Sequence, residues 1–146
     1  MQIGLPRKQE GAAAIEFAMV FVVFFAVIYG VVSYSLPLLI MQSFNHATAE
    51  AVRRSVALDP TVSPETYAAD VEAKALEELT KQLRWLPDGI ESKVQPSIDY
   101  KSGVLNVKVS LPASALSAIM PVLELPGGIT VPRLPEALTA QSSMQF

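Results

Sequence analysis

The stretch EGAAAIEFAMVFVVFF, residues 10–25, decides how this chain begins its fold. Small residues come first, then a single carboxylate, Glu16, and then a long apolar run. An acid near the centre of a membrane helix costs about 2.5–3.5 kcal/mol on insertion scales, so it is rare there unless it has a function. The position of Glu16 therefore predicts a functional role for this segment.

The apolar run is long enough to cross a membrane. From Phe17 to Met41, 25 consecutive residues carry no charge. At about 1.5 Å per residue they form roughly 37 Å of helix, against a hydrocarbon core of roughly 30 Å. The sequence predicts a transmembrane helix at 12–41, continuing as a stem helix to about residue 58, where Asp59-Pro60 ends it.

Composition limits the possible functions. The 146 residues carry a net charge of −3, without a large basic patch, which argues against a nucleic-acid partner. The chain has no cysteine, which excludes disulfides and thiolate metal sites, and it has one histidine, His46, expected on the surface. Since no nucleotide-binding or nucleophile motif occurs, we expect no enzyme activity, no catalytic residue, no metal site and no cofactor.

Three interpretations compete for the N-terminal segment. A cleaved secretory signal would use the small-x-small pattern at Ala47-Thr48-Ala49, but the apolar run is much longer than the usual 7–15 residues. An uncleaved single-pass anchor fits the length, and Arg7 and Lys8 favour a cytoplasmic N-terminus. The third is a prepilin-type signal, in which a short basic leader ends in Gly11 and a glutamate follows at the fifth position after it.

The third interpretation matches the residues best. The segment GAAAIEFAMVFVVFFAVIYGVV, residues 11–32, resembles the N-terminus of the TadE/TadF-like pseudopilins, the minor pilin-like proteins of tight-adherence (Tad, Flp-type IVb) pili. The resemblance extends over about residues 7 to 57. It is specific in its first eleven positions and compositional afterwards.

The resemblance implies a processing and assembly function. Residues 1–11 would be a leader with Arg7 and Lys8 as its basic residues, and a prepilin peptidase would cut between Gly11 and Ala12. Glu16 and Phe17 would then act in assembly, with Glu16 pairing with the α-amine of a neighbouring subunit. Implied partners are the major pilin, other pseudopilins, the inner-membrane platform proteins and the lipid bilayer. The head would lie outside the cytoplasm, and an uncleaved inner-membrane accessory protein whose periplasmic domain binds a partner is the alternative.

Two residues inside the apolar run are expected to break or bend the helix. Gly30 is a weak helix former, and Pro37 removes one backbone hydrogen bond. A simple bend is one interpretation, and a locally melted segment used in assembly is the other.

We expect residues 42–146 to form the rest of the stem helix and an α+β head outside the cytoplasm. Ser63 and Pro64 suit the start of an amphipathic helix, which the turn LPDGI, residues 86–90, ends. We expect ion pairs Asp70–Lys74 and Glu77–Lys81, with Glu77 and Glu78 in solvent. Two strands joined at residues 101–103 predict a hairpin in a small antiparallel sheet, with Pro96 at an edge. Its inward face is Leu105, Val107, Val109 and Leu111.

Overall fold

One long helix and a small α+β head make up the fold in a computed structural model, which describes residues 8–61, 65–125 and 128–146. The order of the helices and strands is α1 (Lys8–Ser55), α2 (Tyr67–Leu83), α3 (Asp88–Glu91), β1 (Gln95–Lys101), β2 (Val104–Pro112), β3 (Leu123–Leu125), β4 (Ile129–Val131) and β5 (Ala137–Gln145). A 3₁₀ helix at Ala113–Ala118 connects β2 to β3. The predicted α+β class, with a long N-terminal helix, is confirmed.

Helix α1 ends three residues earlier than the predicted end near residue 58. After Ser55 the backbone tightens, because the N–H of Ala57 bonds to the carbonyl of Arg54 and the N–H of Leu58 bonds to that of Ser55. Such i to i−3 bonds are typical of a helix terminus. The following Asp59-Pro60 prevents the helix from continuing, since a residue before proline avoids helical angles.

The main sheet has β2 at its centre, with β1 and β5 antiparallel on either side. Ser102 and Gly103 form the two-residue turn between β1 and β2, and both have positive φ, 53° and 78°. That geometry matches the twist of a tight hairpin and favours glycine at the second position. The predicted hairpin is confirmed, and Pro96 lies on the edge strand β1, as expected.

The core lies between one face of this sheet and the two longer helices. The four predicted inward residues of β2 (Leu105, Val107, Val109 and Leu111) are fully buried. Phe44 on α1 and Leu79 on α2 pack in the same cluster. Helix α1 contributes only its C-terminal half to this core. Ile40 is the first of its residues in the buried apolar cluster.

Helix α2 confirms the predicted apolar stripe, with Val71, Ala75, Leu79 and Leu83 buried. It begins at Tyr67, and the predicted cap at Ser63 and Pro64 lies outside the described residues. The predicted turn at residues 86–90 is instead mostly a short helix, α3. Pro87 starts α3, because its carbonyl accepts the N–H groups of Ile90 and Glu91.

Candidate functional site

The N-terminal part of α1 projects away from the head. Residues 11–28 are exposed along their length, except that Ala26 is half-exposed. The described part of the chain has one helix that is long and apolar enough to cross a membrane, and it lies here, near the N-terminus. A helix that is apolar on all sides, and that the described part of its own chain leaves uncovered, suits a lipid environment or a bundle of other helices.

The predicted processing site lies in the first turns of α1. Helix α1 begins at Lys8, so Gly11 is its fourth residue and Ala12 its fifth. The first four N–H groups of a helix have no intrahelical partner, and this end is therefore the easiest part to unwind. Apart from its own helix backbone and chain neighbours, no described heavy atom lies within 4 Å of the position that a Cβ on Gly11 would take. Arg7, Met1 to Pro6 and the side chain of Lys8 lie outside the described residues.

Glu16 and Phe17 lie side by side on the exposed helix. In the described part of the chain, no cation lies within ion-pair distance of the Glu16 carboxylate. Phe17 begins a row of rings along one face, with centroids 6.0 Å apart to Phe21 and 5.2 Å from Phe21 to Phe25. The residues predicted to act in assembly are therefore available to a partner and unused by the head.

The structure shows no locally melted segment at Gly30 and Pro37, and a bend at these residues stays a prediction. Helix α1 continues through both residues as one helix. Proline has a φ close to the helical value, so the cost is confined to its missing N–H and to crowding of the Ser33 carbonyl. Pro37 is buried against the head, whose packing holds this part of α1 in helical form.

The head begins to cover α1 well before residue 41, the predicted end of the membrane segment. The hydroxyl of Tyr29 donates to the carbonyl of Pro121. The hydroxyl of Tyr34 accepts the N–H of Arg133 at 2.8 Å. Ser33 is 2% exposed. Residues 29–41 therefore belong both to the predicted membrane helix and to the part of α1 that carries the head.

An ionic cluster between α1 and α2 was not predicted. Glu78 is a buried carboxylate, with Lys74 Nζ 3.3 Å from one oxygen and Arg54 Nε 3.6 Å from the other. The expectation that Glu78 faces solvent is wrong, because α1 covers its side of α2. Within α1, Arg54 Nε also donates to Glu50, four residues earlier, at 2.6 Å, and this hydrogen bond is the main reason that the pKa of Glu50 lies below its ordinary value.

The two predicted ion pairs on α2 are also replaced. Lys74 contacts Glu77 at 2.9 Å instead of Asp70, and its pKa is raised first by that hydrogen bond. Asp70 accepts the hydroxyl of Thr66 at 2.8 Å. Periodicity alone does not choose between an i+3 and an i+4 partner, since both lie on the same helix face. His46 is exposed, as expected.

Comparison with known proteins separates the long helix α1 from the rest of the head. No curated protein and no solved structure gives a significant match. The family model described as TadE-like protein matches residues 11–53. The matched range lies within α1, from the predicted processing site to two residues before the helix ends, and the remainder of the head lies outside it. The resemblance to TadE-like pseudopilins is thus confirmed, and it is carried by the N-terminal helix of this chain.

Proposed function

We propose that this chain is a minor pilin-like subunit of a Tad-type pilus, held in a bacterial inner membrane by α1. The observation that carries the proposal is the bare apolar helix at residues 11–28, with one carboxylate and no contact to the head. A purely structural anchor has no need of Glu16, whereas a subunit that packs into a helix bundle can use it to set its position. The TadE-like match over the same residues supports this function.

Processing by a prepilin peptidase would occur between Gly11 and Ala12. A protease takes up its scissile segment in extended form, so the helix must open there. Opening is inexpensive at this place, because Gly11 is a weak helix former and only the first intrahelical hydrogen bonds of α1 are lost. No described side chain crowds the Cβ position of Gly11, which leaves room for the enzyme.

Cleavage would create a charge partner for Glu16. The new α-amine of Ala12 is mostly protonated at neutral pH. Along one helix it lies four residues, or about 6 Å, from Glu16. Between two staggered subunits, the amine of one chain can instead reach the carboxylate of the next. An ion pair in apolar surroundings contributes little net stability, but it favours one register of packed helices over others.

The proposed orientation places the N-terminus in the cytoplasm and the head in the periplasm or beyond. Arg7 and Lys8 favour this orientation by the positive-inside rule. The proposed partners are prepilin peptidase, the major pilin and other pseudopilins, and the platform proteins of the same machine. These would meet α1 in the membrane, where residues 11–28 present an uncovered surface.

Mass spectrometry of the mature N-terminus tests the proposal. The protein is isolated from native membranes with and without the prepilin peptidase. We expect a peptide that begins at Ala12, and we expect it to be lost without the peptidase. Gly11→Val should block cleavage, while Gly30→Val, equally free of neighbouring atoms, should not. An intact residue 1 in peptidase-competent cells would instead support an uncleaved accessory protein.

A further inference from the structure

One end of the head lies beside the membrane helix. Strand β2 runs towards Pro112, and the chain then turns through the 3₁₀ helix into the small β3–β4 sheet. We call residues 119–125 and 128–131 the proximal tip. A crevice lined by Tyr29, Val32 and Leu36 of α1 and by Ile119 to Pro121 joins the tip to the helix. The β1–β2 turn and the C-terminus lie together at the opposite end, where Phe146 bonds to Gly103.

The length of α1 places the tip within reach of the bilayer. From Ala12 to Tyr29 the helix rises about 25 Å, and from Glu16 to Tyr29 about 20 Å. The hydrocarbon core is roughly 30 Å thick. Suppose that Ala12 or Glu16 lies at the cytoplasmic edge of the hydrocarbon core. Tyr29, and the carbonyl of Pro121 that it contacts, then lie within the hydrocarbon core, short of its outer edge. Tilting the helix only draws them deeper.

The tip has the side chains that such a position requires. Ile119, Val122, Leu123 and Ile129 are 48%, 52%, 40% and 59% exposed. In the antiparallel register, Leu123 faces Val131 and Leu125 faces Ile129, so these apolar residues share one face of the small sheet. Glu124 and Thr130 pair on the other face. The tip is therefore amphipathic, with its only described charge on the polar side.

The apolar face of the tip is not part of the core of the head. Its two half-exposed members, Leu125 and Val131, are absent from the apolar cluster that forms the core. A two-stranded sheet of three residues per strand is marginal in water without a surface to pack on. Exposed Val32 of α1 lines the crevice beside Ile119 and Pro121, so the apolar surface of the tip continues that of the helix.

We propose that the proximal tip inserts its apolar face into the outer leaflet of the bilayer that α1 spans, and so fixes the head against the membrane surface. Continuity with the apolar helix identifies lipid as the occupant. Such a contact is a second, peripheral membrane contact beside the spanning helix. The proposal requires α1 to span the bilayer, but it requires neither cleavage after Gly11 nor entry into a pilus, so it can fail independently of the proposed function.

Single-cysteine labelling of the full chain tests the proposal directly, because the natural chain has no cysteine. An environment-sensitive NBD dye is attached to Val122→Cys or Ile129→Cys, and the protein is reconstituted into phosphatidylcholine–phosphatidylglycerol liposomes. Lys101→Cys is the control at the opposite end of the head, where that side chain is 79% exposed. Glu124→Cys is the control on the polar face of the same tip. Since all four side chains are exposed, the variants should fold alike, which circular dichroism checks.

We expect the dyes at 122 and 129 to emit at shorter wavelength, to be quenched by lipids brominated on their acyl chains, and to resist aqueous iodide. The dyes at 101 and 124 should behave in the opposite way. Equal iodide quenching at 129 and 101 would overturn the proposal. It would also be overturned if protection at 129 disappeared when the protein is diluted in lipid, since a second copy of the chain would then be the occupant.

Discussion

Glu16 is the one charged residue on an otherwise apolar stretch of α1, and the proposed assembly function depends on it. Its carboxylate makes no ion pair within the described chain, so removing it takes nothing from the fold. We expect Glu16→Ala to leave membrane insertion and cleavage largely unchanged while piliation is lost. Electron microscopy of surface pili, with immunoblots of the processed protein, measures both.

The control for Glu16→Ala is Glu65→Ala, which removes one exposed carboxylate from the head. It should leave piliation as in the natural protein. Unchanged piliation in Glu16→Ala would contradict the pairing function of the carboxylate. Loss of the protein from membranes would instead show that Glu16 acts in insertion.

Glu50 gives the head a defined response to acid. Its side chain is 11% exposed and bonds to both Arg53 and Arg54, which lower its pKa. A carboxylate whose pKa is lower in the folded state stabilises the fold above the unfolded value, near 4.3, and loses this contribution as the pH falls through the folded value. We expect Glu50→Gln to weaken the head at pH 7 and to reduce its loss of stability below about pH 4.3.

Urea unfolding of both proteins between pH 7 and pH 3 measures this effect. The difference between the two midpoints isolates Glu50, because Asp59 and Glu77 also have lowered pKa values and act equally in both proteins. The difference should shrink as the pH falls. A constant difference across the range would show that Glu50 acts by packing and not through its charge.

At the scale of elements, α1 consists of two halves with different partners. Phe44 is fully buried under the sheet, while Phe24 is 58% exposed on the bare half. We expect Phe44→Ala to lower the free energy of unfolding of the head by about 3–5 kcal/mol. Phe24→Ala should leave the free energy of unfolding of the head unchanged, because the Phe24 ring lies on the exposed half of α1. Urea unfolding followed by the fluorescence of Trp85 measures both variants in one detergent.

Periodicity predicted the elements well, because each buries one regular face. The alternation in β2 and the stripe on α2 identified the residues that are now in the core. Glu78 was missed for a physical reason, since its burial depends on where α1 crosses α2, and local spacing does not contain that information. Pro37 was expected to bend or locally melt α1, because the rule for proline considers one helix in isolation. The helix continues through Pro37, which is buried against the head.

The candidate site likewise has parts that local sequence predicts and parts that depend on the tertiary fold. The proposed processing and assembly residues, Gly11, Ala12, Glu16 and Phe17, could be proposed from sequence, because a peptidase and a helix bundle would recognise a continuous segment. The proximal tip was not found, since its position beside Tyr29 depends on the path of the whole sheet. Residues 115–131 are largely apolar in the sequence, but composition does not place them beside α1.

At the scale of the whole molecule, the head should fold without the bare half of α1 but not without the covered half. A chain that begins at Val31 keeps all the described buried apolar residues, including Ile40 and Phe44. A chain that begins at Asn45 loses both. Burial of such side chains contributes about 1.5–3 kcal/mol each, against about 5–15 kcal/mol for the stability of a whole domain. We expect cooperative urea unfolding for the first fragment, and for the second a non-cooperative transition with strong binding of the dye ANS. Similar cooperative transitions in both would show that the sheet and α2 suffice, and that α1 only carries a head already folded.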